Sequence, residues 1–503
     1  MIGPLAATVA APLALALAAL VPPLRPLARW FAVLGSALTL GVGAFAFADL
    51  AARPGADLRL VESHPWSTTF GASLAFGVDG LGAAMLTLSG LITLVATIAA
   101  FRESRRPHAY HALVLTLLAA TNAVFTATDL LVFYVAWEAL LVPMLALIGL
   151  WGGEQRRYAA IKFVVYTLAG SVAMLLLLIV IANTTAANGG ATFDLPRLAS
   201  MAPVWASTTV LGAPIARFGF VAVLLACLVK LPAVPLHTWL PHAHVQAPTA
   251  VSVLLAGVLL KLGVYGLYRI AWPLFPAEAL AWSPALGVLG LVSILWGAFT
   301  ALGQTDLKRL VAYSSVSHMG FCLFGLASGT VAGALGGAVQ AVTHGFSSAA
   351  LFLLVGVVYD RAHHRRVDGF GGLAGPMPRF AWLLLFASLA SAGLPGLGGF
   401  VGEFLVFAGG FTANGSFPAM TAAATVSVVL AAAYLLWTVK RVAYGPLGDP
   451  QHGTFADCDR RERLAIVPLC ALLLVVGVWP KPLVDALRPV CEALLTNVHG
   501  AAR

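Results

Sequence analysis

The chain has 503 residues, of which 60% are hydrophobic and only 10% are charged, and its mean hydropathy is +0.92. Soluble globular proteins carry about 25% charged residues, so this composition excludes a soluble enzyme and indicates a membrane protein. The net charge of +9 does not indicate binding to nucleic acid, because the basic residues lie in short loops between apolar runs, where they signal membrane topology.

Apolar runs long enough to cross a hydrocarbon core of ~30 Å recur along the whole chain. They predict an all-α polytopic membrane protein with about 14 transmembrane helices. The predicted spans are residues 5–22, 28–49, 75–100, 109–127, 129–151, 160–183, 215–240, 248–270, 282–302, 309–328, 331–359, 378–411, 419–440 and 463–480. Helices 7 and 12 are predicted to be broken, because LPAVP and LPGLGG interrupt their runs and proline removes a helical hydrogen bond.

Basic residues alternate between successive connections of this map. Odd-numbered connections are rich in them, for example at Arg102, Arg156, Lys308 and Lys440, whereas even-numbered connections hold few. The positive-inside rule then places the basic loops in the cytoplasm and both termini on the periplasmic side of a bacterial inner membrane. Lys308 counts as a loop residue on this map.

The two predicted breaks lie five helices apart, and each has an ionisable residue beside it. Because five is odd, equivalent helices run in opposite directions, which is the pattern of two inverted five-helix repeats. The chain then divides into residues 1–108 with helices 1–3, 109–270 with the first repeat, 271–441 with the second repeat, and 442–503. The last part holds a cytoplasmic loop, helix 14 and a C-terminal tail of about twenty residues.

Six titratable residues fall at mid-membrane depth on six different helices, as judged from a rise of ~1.5 Å per residue. They are Glu138, Lys230, Lys261, His318, His344 and Glu403. Intramembrane charges are costly and mark ion pathways, and histidine titrates near neutral pH. The pattern predicts a proton relay that runs through Lys261, His318 and His344 towards Glu403.

Structural roles are the alternatives for the same residues. Glu138 and Lys230 could form a buried pair that only fixes helix packing, and Glu403 could cap or hinge the broken helix. His318 and His344 could be hydrogen-bonded core residues.

Three histidines between helices 7 and 8 are candidates for proton uptake from the cytoplasm: His237, His242 and His244. Asp79 and Lys162 lie near the ends of predicted spans and are expected at the membrane interface. The five cysteines form no C-x-x-C pair, so we expect no metal or cluster in this chain.

The segment from Lys230 to Arg269, KLPAVPLHTWLPHAHVQAPTAVSVLLAGVLLKLGVYGLYR, resembles the signature of the antiporter-like subunits of respiratory complex I and their relatives. Around Glu138, FYVAWEALLVPMLALIGLWGG resembles the helix 5 motif of the subunit M branch, which is NADH dehydrogenase subunit 4 in mitochondria. Further motifs of this branch are IKFVVYT from Ile161, DLKRLVAYSSVSHMG from Asp306, THGFSSAALFLLVGVVYDR from Thr343 and GLPGLGGFVGEF from Gly393. The resemblance covers about residues 78–441.

The resemblance implies fourteen helices, two inverted five-helix bundles and proton translocation coupled to quinone reduction. Glu138 and Lys230 match the family's paired Glu and Lys, Lys261 matches its central Lys, and Glu403 matches the exit-side residue. His318 and His344 match central polar residues of the family. Glutamate at the exit side, where sibling subunits usually carry Lys, favours the subunit M branch.

The resemblance also implies that the redox chemistry lies elsewhere in an oxidoreductase complex. No cofactor is expected in this chain, and FMN, iron–sulfur clusters and quinone are expected in partner subunits. The expected partners are the other membrane subunits, especially two sibling antiporter-like subunits, together with the lipid bilayer. A long lateral helix, such as the largest sibling carries, is not expected.

Three positions depart from the family pattern near the cytoplasmic mouth. His242 stands where the family commonly has Asp, Gln246 where it has Glu, and Val251 where it has Gly. The first two changes remove negative charge. The alternatives left open are a subunit of a multi-subunit Na⁺/H⁺ antiporter or of a membrane-bound hydrogenase, a structural membrane scaffold that does not pump, and a stand-alone metabolite transporter.

Overall fold

The computed structural model describes residues 3–210 and 212–500. It is a polytopic membrane fold that is 78% helical. The first helices are α1 (Pro4–Leu20), α2 (Ala28–Ala52), α3 (Gly80–Ala99), α4 (Pro107–Thr126), α5 (Leu130–Ala139), α6 (Leu141–Trp151), α7 (Arg156–Ala187), α8 (Leu195–Ser200) and α9 (Ala202–Ser207). Helices suit a membrane because they satisfy their backbone polar groups internally.

The remaining helices follow in chain order. They are α10 (Ile215–Lys230), α11 (Trp239–Gln246), α12 (Thr249–Leu254), α13 (Leu260–Gly266), α14 (Trp272–Leu274), α15 (Pro276–Leu302), α16 (Leu307–Ala327), α17 (Val331–Ala362), α18 (Pro378–Ser391), α19 (Gly398–Thr412), α20 (Phe417–Ala424), α21 (Val426–Ala443), α22 (Arg460–Val478) and α23 (Lys481–Gly500). Within the described part of the chain, ten helices or continuous helical stretches are long and apolar enough to cross a membrane.

Both predicted helix breaks are present in the structure. Residues 231–238 separate α10 from α11, and residues 392–397 separate α18 from α19. Two further irregularities are present. α5 and α6 are interrupted at Leu140, because Pro143 cannot donate a backbone hydrogen bond to the Ala139 carbonyl, and π-helical turns at Leu255–Leu259 and Leu267–Ala271 flank α13. π-Helical turns inside α-helices often occur at functional sites.

The prediction of a purely helical chain is wrong between α2 and α3. An antiparallel hairpin forms there from β1 (Arg59–Ser67) and β2 (Ala72–Val78), so the third span starts at Gly80 and not at residue 75. One contact explains this start, because the carboxylate of Asp79 accepts a hydrogen bond from the Gly82 amide at 2.8 Å and caps α3. The hairpin is also tied to α1, since Glu62 of β1 accepts from the Leu5 amide at 2.7 Å. A second short pair, β3 (Thr209–Val210) and β4 (Ala213–Pro214), precedes α10.

The predicted C-terminal tail is also wrong, because the residues after the last span form α23. This helix bends 72° away from α22. It is amphipathic, with Leu483, Leu487 and Leu494 on its buried face. Covering the ends of neighbouring helices gives that apolar face a place out of water.

The centre of the bundle consists of the helical stretch from α12 to α14 together with α16 and α17, which are buried almost throughout. By contrast, less than half of the apolar stretch is buried in α2, α7, α15 and α20–α21, as expected for helices in contact with lipid. The loops after α3, α6, α15 and α17 meet at one end of the bundle around a cavity of about 980 Å³. We call this end the basic face, because its loops carry many Lys and Arg residues.

Candidate functional site

Lys261 lies on α13, between the two π-helical turns, and its side chain is fully buried. Its Nζ donates a hydrogen bond to the Ala256 carbonyl at 2.5 Å and lies 2.8 Å from Nδ1 of His344 on α17. A buried ammonium group needs such partners, because leaving it unpaired away from water is costly. Lys261 is therefore held at the centre of the bundle and coupled directly to an imidazole.

His344 and His318 form the next contact. Their ring centroids are 5.4 Å apart, across the packed helices α17 and α16. Nδ1 of His344 faces Lys261, while its Nε2 is buried and has no hydrogen-bond partner within the described residues. Imidazole exchanges protons near neutral pH, so two adjacent rings suit proton transfer.

His318 contacts three polar side-chain atoms on three other helices. Its Nδ1 lies 3.1 Å from Nε2 of Gln340 and 3.3 Å from Oε1 of Glu403, and its Nε2 lies 3.2 Å from Oγ of Ser391. Gln340 Nε2 also donates to Glu403 Oε1 at 3.4 Å. All four side chains are buried. The network therefore joins α16, α17 and both halves of the broken helix α18–α19.

The break before α19 brings Glu403 into this network. Gly393 in the break has a φ of +74°, and a Cβ there would lie 2.5 Å from Oε2 of Glu403. Glycine meets both requirements, because it adopts positive φ readily and leaves room for a close approach. The predicted break therefore leaves room for the carboxylate of Glu403 at the site.

Lys261, His344, His318, Gln340, Ser391 and Glu403 form what we call the central polar chain. The predicted order of the two histidines is wrong, because His344 contacts Lys261 and His318 contacts Glu403. Counting residues along a helix gives depth but not the lateral position, which is set here by the packing of α17 against α12 and α13.

Glu138 and Lys230 lie near each other but form no direct ion pair in the described structure. Lys230 Nζ donates to the Trp137 carbonyl at 3.0 Å and lies 3.9 Å from the centroid of the Trp137 ring. Oε1 of Glu138 is buried without a hydrogen-bond partner among the described residues, although its charge acts on Lys230. The Trp137 carbonyl lies in the last turn of α5, where helical donors are missing. The break at Leu140 therefore creates the acceptor that holds Lys230.

Lys162 lies near the start of the α7 span and contacts one of the uptake histidines, while its expected place at the membrane interface stays a prediction. Its Nζ is 3.4 Å from Nδ1 of His242 and 5.7 Å from the centroids of both the Tyr158 and Tyr166 rings. The flanking aromatic faces can stabilise its charge. His237 is also buried and packs against the Tyr313 ring with centroids 6.1 Å apart.

His244 and Lys308 occupy the space between the basic face and Lys261. His244 is completely buried, stacks on the Phe352 ring with centroids 4.3 Å apart, and has two ring nitrogens without partners among the described residues. It lies within electrostatic reach of both Lys308 and Lys261. The assignment of Lys308 to a loop is wrong: it is buried in the first turn of α16, and its Nζ donates to the Ala247 carbonyl at 2.6 Å. Lys308 also lines the cavity at the basic face.

Asp79 caps the start of α3, so its expected position at the membrane interface stays a prediction. It is 5% exposed and pairs with Arg269, whose Nη1 lies 2.7 Å from its Oδ2. Arg269 follows Lys261 by two helical turns, so this ion pair anchors the helix that carries Lys261 to the start of α3.

Four functional candidates escaped the sequence argument: Trp137, Lys308, Gln340 and Ser391. Gln340 had a signal, since a buried amide in an apolar run needs hydrogen-bond partners. The other three are ordinary in sequence. Among residues 3–210 and 212–500, no three His, Cys, Asp or Glu side chains group as metal ligands would. The arrangement offers acids, bases and hydrogen-bond donors suited to moving protons.

Comparisons with known proteins identify the family of the chain. The family model described as "NADH:quinone oxidoreductase/Mrp antiporter, TM" matches residues 127–431. The Rhodobacter capsulatus protein named NADH-quinone oxidoreductase subunit M is 39% identical over 477 residues, covering 94% of this chain and 91% of the relative. The Synechococcus protein named NAD(P)H-quinone oxidoreductase chain 4 1 is 41% identical over 462 residues, covering 90% and 85%.

Two solved structures share the fold over nearly the whole chain. A chain of respiratory complex I from Thermus thermophilus with bound NADH aligns with a TM-score of 0.87 at 32% identity, covering 98% of this chain and 99% of that one. A chain of the Mrp complex from Dietzia sp. aligns with a TM-score of 0.85 at 22% identity over the same shares, which is a likeness of fold alone. The chain is therefore a multi-pass membrane protein that belongs to the NADH:quinone oxidoreductase/Mrp antiporter membrane family.

Proposed function

We propose that this chain is the proton-translocating membrane subunit of a bacterial NADH–quinone oxidoreductase, in the position of subunit M. The observation that carries the proposal is the row of buried, neighbouring titratable side chains from Lys261 through His344 and His318 to Glu403, in which the two imidazole rings adjoin with centroids 5.4 Å apart. The 39% identity to the Rhodobacter capsulatus subunit M over nearly the whole chain supports the choice of complex.

Protons would enter through the cavity at the basic face. Lys308 lines that cavity, and His244 lies between Lys308 and Lys261. His244 is thus the uptake histidine best placed for the central polar chain. His237 and His242 lie to its side, where Lys162 accompanies them. From Lys261 the proton would pass to His344, His318 and Glu403, and leave on the opposite face.

Glu138 and Lys230 would form the control element of the relay. Lys230 is held by the Trp137 carbonyl and ring, so the carboxylate of Glu138 is left without its own partner. A small movement of a neighbouring subunit would then strengthen or weaken the attraction between the two charges. That change would alter how tightly Lys230 holds its proton, and pass on to Lys261.

The architecture supports fourteen membrane helices in two inverted repeats. Counting each broken or kinked helix once gives three helices before the repeats, five from α4 to α14, five from α15 to α21, and α22. The breaks after Lys230 and before Glu403 fall in the fourth helix of each set, as inverted repeats require. We retain domain limits at residues 1–108, 109–270, 271–441 and 442–503, with both termini periplasmic and the basic face cytoplasmic in the inner membrane.

The redox groups would belong to partner subunits. FMN, iron–sulfur clusters and quinone would be bound there, and this chain would contribute only proton transfer to the enzyme. The sibling antiporter-like subunits would contact its lipid-facing helices.

The test is to introduce Glu138→Gln and Lys230→Ala in the assembled complex and to measure protons pumped per NADH oxidised in membrane vesicles. We expect both variants to lose coupled pumping. Glu492→Gln and Lys440→Ala are the matched controls, because both side chains are exposed and lie outside the central polar chain. Normal pumping in both test variants would overturn the proposal.

A further inference from the structure

Gln340 occupies an unusual position for an amide, between a base and an acid of the central polar chain. Its Nε2 is 3.1 Å from His318 Nδ1 and 3.4 Å from Glu403 Oε1, and those two atoms are themselves 3.3 Å apart. The three atoms form a triangle in which every side is within hydrogen-bond range. Gln340 is 1% exposed, and its Oε1 is buried with no partner among the described residues.

The numbers of hydrogen-bond donors and acceptors determine which protonation states this triangle can satisfy. With neutral His318 and ionised Glu403, the two amide hydrogens of Gln340 can satisfy Nδ1 and Oε1 at once. His318 then carries its single hydrogen on Nε2 and donates it to Ser391 Oγ at 3.2 Å. This is the state without a transferable proton, and the facing side of Gln340 must be its NH₂ group.

The accounting changes when a proton arrives. Protonated His318 carries hydrogen on both nitrogens and has no lone pair left to accept from Gln340. Protonated Glu403 likewise carries a hydrogen on one carboxyl oxygen, and that oxygen becomes a donor. A half-turn of the Gln340 amide would present its carbonyl oxygen to these donors. The Gln340 Oε1 atom has no partner among the described residues, so it is free to accept a hydrogen bond in that state.

We infer that Gln340 is a reversible amide switch that accommodates both protonation states during proton transfer between His318 and Glu403. In the loaded state the proton leaves His318 Nδ1 and bonds to Glu403 Oε1, which yields neutral His318 and neutral Glu403. When Glu403 later releases its proton, the amide turns back and its NH₂ group again satisfies both partners. Gln340 is a positioning residue in this scheme, since it carries no proton itself, and the inference rests on the function proposed above.

The surroundings of the triangle contain few other charges that could replace the amide. The titratable groups that face it are His344 and Lys261 beyond His318, and Tyr434 of α21 beside Glu403. None of these lies within the triangle. Ser391 completes the coordination of His318 from the other side and fixes its ring.

The test uses two substitutions at Gln340 in the assembled complex, measured as pumping coupled to NADH oxidation across a pH series. Gln340→Leu has similar size but neither donor nor acceptor, and we expect pumping to fall roughly tenfold at every pH, since hydrogen bonds to charged groups are lost. Gln340→Glu has the same shape. When protonated it offers one donor and one acceptor, and when ionised it repels Glu403. We expect it to pump at acidic pH and to lose pumping reversibly as pH rises.

Thr343→Val is the matched control. Thr343 is buried on the same helix, its hydroxyl bonds to the Val339 carbonyl of its own helix, and it touches neither His318 nor Glu403 through a hydrogen bond. We expect normal pumping from it. Recovery of Gln340→Glu at acidic pH shows that the complex has assembled even if Gln340→Leu does not accumulate.

Two outcomes would overturn the inference. The first is normal pumping by Gln340→Leu, and the second is a Gln340→Glu variant whose pumping has the same pH dependence as that of the parent. Glu403→Gln and His318→Phe separate this failure from that of the proposed function. If these two variants also pump normally, the proposed relay is wrong. If they lose pumping while Gln340→Leu pumps normally, the relay stands and only the role of Gln340 is refuted.

Discussion

The Trp137 ring should control how Lys230 holds its proton. Lys230 is 5% exposed and lies 3.9 Å from the ring centroid, within the range of a cation–π contact. Trp137→Leu removes the ring but keeps the backbone carbonyl that accepts the Lys230 hydrogen bond. The substitution therefore isolates one of the two contacts.

The expected size follows from this geometry. A desolvated cation–π contact is worth about 2 kcal/mol, which corresponds to roughly 30-fold in the population of protonated Lys230. We expect Trp137→Leu to reduce coupled pumping by up to that factor, and Trp137→Phe to have a smaller effect because a weaker ring remains. Trp137 Nε1 has no hydrogen-bond partner among the described residues, so losing the indole N–H in the Phe variant should cost no stability.

The assay compares pumping, measured by a pH-sensitive dye in vesicles, with the rate of NADH oxidation in the same preparation. Trp296→Leu is the control, since that side chain is 55% exposed on α15 and far from Lys230 in sequence. The reasoning is supported if coupled pumping declines from the parent to Trp137→Phe and again to Trp137→Leu. Full activity in Trp137→Leu, or lower activity in Phe than in Leu, would refute it.

Two further predictions concern stability. Arg269→Leu should lower the thermal stability of the complex more than the double variant Asp79→Asn/Arg269→Leu, because breaking one side of a buried pair costs about 3–5 kcal/mol; equal melting temperatures would contradict this. In the loops at the basic face, burial and the neighbouring His452 hold the pKa of His364 below its ordinary value of 6.5. Since the unfolded chain binds that proton more readily, stability should be lost as pH falls below 6.5, and His364→Phe should weaken the dependence measured by thermal unfolding across pH 5–8.

The sequence allowed good prediction wherever a single residue type dictates the structure. The breaks in helices 7 and 12 were predictable because proline and glycine interrupt a helix whatever surrounds them. The six mid-membrane ionisable residues were predictable because charge in an apolar run is costly. Pro143 is a similar signal for the interruption at Leu140, whereas no proline or glycine pattern indicates the π-helical turn at Leu255–Leu259.

The position of each residue across the bundle was the main thing that the sequence could not predict. Lys308 follows an acidic residue at the start of a span, as loop residues do, yet α11 and α17 enclose it. Asp79 and Arg269 are 190 residues apart, and only the folded bundle brings them together. Depth along a helix is a local quantity, whereas the order of His344 and His318 depends on which helices are neighbours.

The irregular helices and the buried lysines explain each other. Each of the three buried lysines donates to a backbone carbonyl where helical bonding is interrupted. Lys230 uses the Trp137 carbonyl before the break in α5–α6, Lys261 uses Ala256 in a π-helical turn, and Lys308 uses Ala247 at the end of α11. None of the three has a carboxylate within ion-pair distance in the described structure.

The use of neutral backbone carbonyls as acceptors affects how readily the lysines can release their protons. A carboxylate partner would hold the ammonium form and become an unpaired buried charge once the lysine released its proton. A neutral carbonyl accepts a hydrogen bond from the ammonium and from the neutral amine alike, so the lysine can lose and regain a proton without stranding a charge. The breaks therefore do more than admit polar groups to the membrane, because they supply acceptors that keep the lysine protons mobile.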